Sequence, residues 1–158
     1  MKSLIKLACS LSNLLTQTLD LLSSLAALAI RLYILQVFFS SGWLKLTSWS
    51  STLYLFENEY KIVGLSPVTA AYLGTAAEIT LPALMALGIG ARLPAVALFV
   101  FNIFNAIFYP LLLKPEYSSA LKDHIIWGIL IGIIALYGHG KISLDYWIKK
   151  KLCKDYQL

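Results

Sequence analysis

Apolar and polar positions fall along this chain in long blocks rather than in a two-residue alternation, and four of the apolar blocks read as membrane spans: residues 21–44, 67–89, 93–113 and 124–139. A helix rises 1.5 Å per residue, so roughly 20 apolar residues cross the hydrocarbon core. The stretch between the first two spans has a different period. Trp49, Leu53, Phe56, Tyr60 and Val63 recur at three- and four-residue steps, with Glu57, Asn58, Glu59 and Lys61 between them. That spacing predicts an amphipathic helix that lies on the bilayer or caps the bundle. The expected architecture is all-α: an integral membrane four-helix bundle over residues 21–140, with an amphipathic helix between spans 1 and 2. Residues 1–20 precede it and a basic tail, 141–158, follows. In 1–20 a short mixed apolar run lies between Lys6 and Asp20. An interfacial amphipathic helix and a frayed terminus both fit it, a cleaved signal peptide less well.

Local signals mark the joints. Ser66-Pro67 opens the second span, since proline is tolerated in a helix's first turn. Pro82 lies inside that span and deprives the Glu78 carbonyl, four positions back, of its helical donor, so a kink is expected beside the carboxylate. Gly88, Gly90 and Arg92-Leu93-Pro94 form a tight turn, Ser119 or Asp123 is placed to cap the fourth span, and Gly128 with Gly132 permits close helix approach.

Composition strengthens the membrane reading. The chain has 158 residues, 59% hydrophobic and 13% charged, and a mean hydropathy of +0.75. Its net charge of +5 suggests nucleic acid only superficially. No lysine and arginine stripe runs along a polar helix, and no aromatics interleave with basic residues on an exposed face, so nucleic acid is not an expected partner. The bilayer is. Four spans place both termini on one side, with eight basic residues there against four on the other, and the excess marks the cytoplasm. Trp147 and Ile148 among the tail lysines suggest a short helix on an anionic leaflet.

The candidate chemistry sits inside the spans. Arg31 and Glu78 fall near mid-membrane on antiparallel neighbours, where an ionisable group needs a partner or a function, and they are expected to pair. Asn102 and Asn105 form a polar stripe continued by Tyr109, expected to face that pair. His124 lies at the outer mouth, with Trp127 nearby. A quinone site needs an apolar, aromatic-lined cleft open to lipid and a few polar groups for the ring carbonyls. Arg31, Glu78, Asn102, Asn105, Tyr109, His124 and Trp127 are the candidates, with Glu78 and His124 for any proton transfer. A carboxylate disfavoured by burial and favoured by a neighbouring cation suits proton handling, and it also describes a structural ion pair. For the asparagines interhelical hydrogen bonding is the competing role, and for His124 an interfacial position beside Asp123.

Other chemistries find no support. Cys9 and Cys153 lie at opposite ends without a Cys-x-x-Cys, which excludes a thioredoxin-like pair and a c-type haem attachment within this chain. No Cys/His cluster suggests a metal, and no Ser-His-Asp set or phosphate loop is visible. His124 and His139 are fifteen residues apart on one expected helix, roughly 22 Å, too far to hold one haem between them. A small-solute carrier would show paired inverted halves, which this short chain lacks.

The chain resembles the DoxX family of small four-helix membrane proteins. The matching residues are Arg31-Leu32 and Gly42-Trp43-Leu44-Lys45, then Ala77-Glu78, Gly90-Ala91-Arg92-Leu93 and His124-Ile125-Ile126-Trp127-Gly128. The most specific string is Gly138-His139-Gly140-Lys141-Ile142-Ser143-Leu144-Asp145. His139 stands where relatives usually carry proline. The resemblance covers about residues 30–147 and implies a bundle in the bacterial inner (plasma) membrane. In some members it implies redox chemistry: one branch resembles the membrane subunit of a thiosulfate:quinone oxidoreductase, and others are membrane partners of soluble oxidative-stress enzymes. The expected function is the membrane component of a quinone-linked redox system acting with a partner protein. The alternative is a non-catalytic membrane anchor or assembly subunit for a soluble partner.

Overall fold

The computed structural model describes residues 2–60, 62–90 and 92–155. Lys61 of the amphipathic pattern and Ala91 of the expected turn lie outside the described residues, as do the side chains of residues 2–5, 7, 8 and 153–155. The regular structure is helical: α1 (Lys2–Thr47), α2 (Trp49–Asn58), α3 (Pro67–Leu87), α4 (Leu93–Phe108), α5 (Ser118–Tyr137) and α6 (Leu144–Asp155), with 3₁₀ turns at Pro110–Leu113 and Pro115–Tyr117. Helices α1, α3, α4 and α5 close a ring in which each packs on two others, and α2 caps α3 and α1. The core between them holds Ile34, Phe38, Met85, Leu98, Ile131 and Ile134. Outward-facing positions are apolar as well, including Leu32, Tyr72, Ile103 and Ile129, as a lipid-facing surface requires.

Three helical stretches are long and apolar enough to cross a membrane: Cys9–Thr47, Pro67–Leu87 and Pro115–Tyr137. Helix α4 is shorter, 16 residues. The tyrosine before Pro110 is pushed out of helical geometry, so α4 stops at Phe108 and the span expected over 93–113 finishes as a 3₁₀ turn. That turn extends it by roughly 8 Å at about 2 Å per residue.

The largest departure from expectation is at the start. No break separates residues 1–20 from the first span, because α1 runs unbroken for 46 residues. At 1.5 Å per residue it is about 69 Å long, twice the hydrocarbon thickness. No glycine or proline occurs before Gly42. The hydroxyls of Thr16, Thr18 and Ser24 donate to carbonyls four residues back, which keeps their polarity within the helix. Every described residue from position 9 to 23 is exposed, and burial begins at Ser24.

Other boundaries also shift. Helix α2 buries Phe56 against Ala70 and Ala71, with Trp49, Leu53 and Tyr60 around it, but it ends at Asn58. Val63, expected on the same face, lies beyond it and is 91% exposed; the chain turns instead through Gly64 at φ 88°. Helix α3 starts as expected, with the Ser66 hydroxyl accepting from the Thr69 amide at 3.1 Å and Pro67 in the first turn, and it continues through the buried Pro82. Helix α5 begins at Ser118, so Ser119 and Asp123 lie inside it rather than capping it.

Candidate functional site at the α2 end of the bundle

Glycine approach sets the register of α1 against α3. A Cβ at Gly42 would meet Ile79 Cγ1 at 2.7 Å and Glu78 Cβ at 3.0 Å, and one at Gly88 would meet Arg31 Nη1 at 2.8 Å. Antiparallel helices move in opposite senses, so Arg31 is level with the last turn of α3, and Glu78 with the last turns of α1. Eleven residues of helix, about 16 Å, separate the two levels.

The expected Arg31–Glu78 pair therefore does not form. Arg31 is fully buried and donates from Nη1 to the Ala86 carbonyl at 3.0 Å and from Nη2 to the Ile142 carbonyl, with a longer contact from Nε to Ala27. It ties the end of α3 and the loop before α6 to α1. Gly88, at φ 69° and in the left-handed region, leaves room for it, since a Cβ there would also lie 2.4 Å from Ser143 Cβ. The Ser143 hydroxyl accepts from the Tyr146 amide, capping α6, and the Asp145 amide donates to the Gly88 carbonyl at 3.1 Å. His139 is buried in the same loop with no hydrogen bond to Nε2 among the described residues. Burial lowers its pKa, Arg31 and Arg92 lower it further, and Asp145 opposes them.

Glu78 pairs instead with Lys45, a residue expected only as an interfacial anchor. Lys45 Nζ donates to both carboxylate oxygens, at 2.8 and 2.7 Å, and to the Ser41 hydroxyl at 2.9 Å. Both side chains are largely shielded. All three ammonium donors are used, so the geometry is that of a satisfied buried pair. Thr52 donates to the Lys45 carbonyl at 3.0 Å and fixes α2 over the pair. A legible signal existed: Ser41 and Lys45, four apart, share a helical face with Gly42 beside them.

The polar stripe on α4 divides. Asn102 is buried against α5, its Nδ2 donating to the His124 carbonyl at 2.9 Å and its Oδ1 lying 2.8 Å from His124 Nδ1. Oδ1 can only accept, so Nδ1 carries the proton and Nε2 is left as the acceptor of the neutral ring. Trp127 packs edge-on to His124 at 4.9 Å and to Phe38 at 5.7 Å, and donates to the Tyr33 hydroxyl. Neither Asn102 nor Tyr109 faces Arg31 or Glu78 as expected.

Asn105 and Tyr109 turn toward α2. A cleft of about 450 Å³ opens between α3, α4 and the end of α2, walled by Phe56, Tyr60, Phe101, Phe104 and Phe108. Asn105 is the one amide in its wall, half-buried, and its side chain makes no hydrogen bond among the described residues. Behind the wall the Tyr60 and Tyr109 rings stack at 5.0 Å, and the Tyr109 hydroxyl donates to Glu59 Oε2 at 2.7 Å. Burial first, then the Glu78 carboxylate, raises the Tyr60 pKa above its usual value, so that phenol remains a donor at any physiological pH. Sequence reasoning placed Glu59 and Tyr60 in an amphipathic helix that lies on the bilayer or caps the bundle and did not count them as site residues; in the structure they follow α2 and stand beside the cleft. Asn102 and His124 line a separate groove of about 570 Å³ between α4 and α5.

Fold and site together define a small all-α membrane protein, a helical bundle with a buried ion pair beneath an aromatic cleft. The DoxX family model matches residues 26–110, more than half of the chain, and the chain belongs to that family. The string from Gly138 to Asp145 lies outside the matched residues. No curated protein and no solved structure matches the chain.

Proposed function

We propose that this chain is the membrane component of a quinone-linked redox system acting with a partner protein, and that the cleft between α2, α3 and α4 takes the quinone ring. The observation that carries the reading is the Asn105 amide, without a hydrogen-bond partner among the described residues, in a wall otherwise of aromatic and aliphatic side chains. A cleft of about 450 Å³ falls in the range of small-molecule sites, which are apolar with few polar groups. The flat ring lies against Phe101, Phe104 and Phe108, and the Asn105 N–H donates to one ring carbonyl. Reduction to the quinol consumes two electrons, drawn from the partner, and two protons. The Tyr60, Tyr109 and Glu59 array stands beside the cleft to deliver protons. Glu78, held by Lys45, and His124, held by Asn102, support the neighbouring helices instead of touching the ring.

The basic excess at the α6 end supports a bacterial inner membrane with both termini cytoplasmic. The cleft then opens toward the periplasmic half.

The alternative, a non-catalytic membrane anchor or assembly subunit, draws on the closed Lys45–Glu78 geometry and on the exposed Trp147 of α6, over which Lys150 sits. One experiment divides the readings. Protein purified in mild detergent is extracted with organic solvent and assayed for quinone. Near-stoichiometric quinone, reduced at least tenfold in Asn105→Leu, is the expected result. Quinone-free protein that co-purifies with a soluble partner transfers the conclusion to the anchor.

A further inference from the structure

The part of α1 that projects from the bundle carries a second pattern. Leu11, Leu14, Leu21 and Leu25 are spaced by three, seven and four residues, and Thr18 and Leu28 complete alternating steps of three and four. Leu4 and Leu7 continue the same phase toward the N-terminus. This is a heptad repeat with Leu4, Leu11, Thr18 and Leu25 at a, and Leu7, Leu14, Leu21 and Leu28 at d. A period of 3.5 rather than 3.6 keeps one stripe facing a partner helix along a left-handed supercoil. Leu15 and Leu22 widen the stripe at e. Cys9, Ser12, Asn13, Thr16, Asp20 and Ser23 take the b, c and f positions, with Leu19 the apolar exception among the described side chains.

The stripe is bare. Leu11, Leu14, Leu15, Leu21 and Leu22 are between 55% and 62% exposed. The bundle uses a different face of α1, with Ser24, Arg31, Ile34 and Phe38 buried and Leu25 and Leu32 turned about 100° from Ser24 and Arg31. Lipid does not cover the part of the stripe that precedes the first span. A bilayer core of roughly 30 Å accommodates about 20 of the 46 residues, the span expected over 21–44 takes those places in the ring, and Leu11, Leu14, Leu15 and Thr18 come before it.

We propose that the projecting half of α1 forms a parallel, in-register coiled coil with α1 of a second copy of this chain. Shared membrane orientation argues for self-pairing. Two copies inserted the same way present their α1 helices parallel and at one height, so each a and d residue meets its own counterpart. Thr18, the single polar a residue, then faces Thr18, its hydroxyl already donating to the Leu14 carbonyl at 2.8 Å. Six half-exposed leucines from each copy bury on the order of 1,000 Å² in total, the lower bound for a specific interface.

Oxidative cross-linking of full-length protein in native membranes tests this, in a Cys9→Ala, Cys153→Ala background carrying one new cysteine at a time. Leu14→Cys and Leu21→Cys are expected to give a disulfide-linked species of twice the 17.5 kDa chain, at least fivefold more than Asn13→Cys and Thr16→Cys on the opposite face. Leu11→Cys and Leu25→Cys repeat the comparison if a seam variant fails to accumulate. Equal cross-linking at all positions means random collision and overturns the proposal. So does an absence of dimer at the seam, the result expected if the stripe lies on the membrane or takes a helix from another protein.

Discussion

At the α6 end, Arg31 is fully buried and spends its guanidinium on main-chain carbonyls of Ala86 and Ile142, in a corner closed by Gly88 and Ser143. At the α2 end, Lys45 is also withdrawn from solvent, but it meets a carboxylate, and the space beside that pair opens as an aromatic cleft. The arginine fork spans carbonyls from two segments at once, which suits a clamp; an ammonium is a point charge. The lysine pair holds one helix to another and leaves the neighbouring wall free to carry a ligand. The difference teaches that a buried charge in a membrane bundle is a site only where the structure around it stays open.

Breaking the clamp is expected to have the largest effect. Arg31→Met removes the largest fully buried side chain and orphans two carbonyls, a loss on the order of 5 kcal/mol. The protein should fail to accumulate in membranes, and Arg31→Lys should not restore it. Next comes the pair. Lys45→Met alone leaves the Glu78 carboxylate buried without its cation and should cost about 3–5 kcal/mol. Lys45→Met with Glu78→Gln should recover most of the thermal midpoint in detergent, and a double variant no better than the single would show that Lys45 acts through something other than Glu78. Gly88→Ala should cost about 2 kcal/mol, because it places a Cβ 2.4 Å from Ser143 Cβ on a backbone at φ 69°.

A pH scan sharpens the contrast between the ends. His139 is held neutral with a pKa below the usual 6.5, so the unfolded chain binds its proton more readily than the folded one. Its contribution to stability is fully present above 6.5 and is lost as pH falls through the lower folded value. The thermal midpoint should drop on acidification from pH about 7.5 to about 5, and His139→Asn should flatten part of that slope. The smallest stability effect belongs to Asn105→Leu, expected to be within about 0.5 kcal/mol because the amide has no protein partner to lose. Its loss of quinone at unchanged stability would separate cleft from clamp most cleanly.

The α4 face shows how far side-chain periodicity carries. Phe101, Phe104 and Phe108 share a face by spacing alone, and together they wall the cleft. Asn102 and Asn105 differ by three residues, close enough on a helical wheel to look like one stripe. Yet α5 approaches one side of it and α2 the other, and the two amides part company. Ser66-Pro67 was legible because a cap is a local event, settled within four residues. The extent of α1 was misread: Asp20 suggested a boundary after residue 20, although no breaker occurs before Gly42.

By itself the sequence determined the class: apolar blocks long enough to cross a bilayer, helices because such continuous blocks lack the two-residue alternation of a closed barrel, and family membership through residues 26–110. It also carried the heptad phase of α1. Which charge meets which was decided only by the tertiary structure. Pairing across helices depends on axial register, and register is set by close contacts such as Gly42 on Ile79, not by the position of a residue within its own span. Counting from span ends put Arg31 level with Glu78. The packed helices put Lys45 there instead, and gave Arg31 to the backbone of the opposite end.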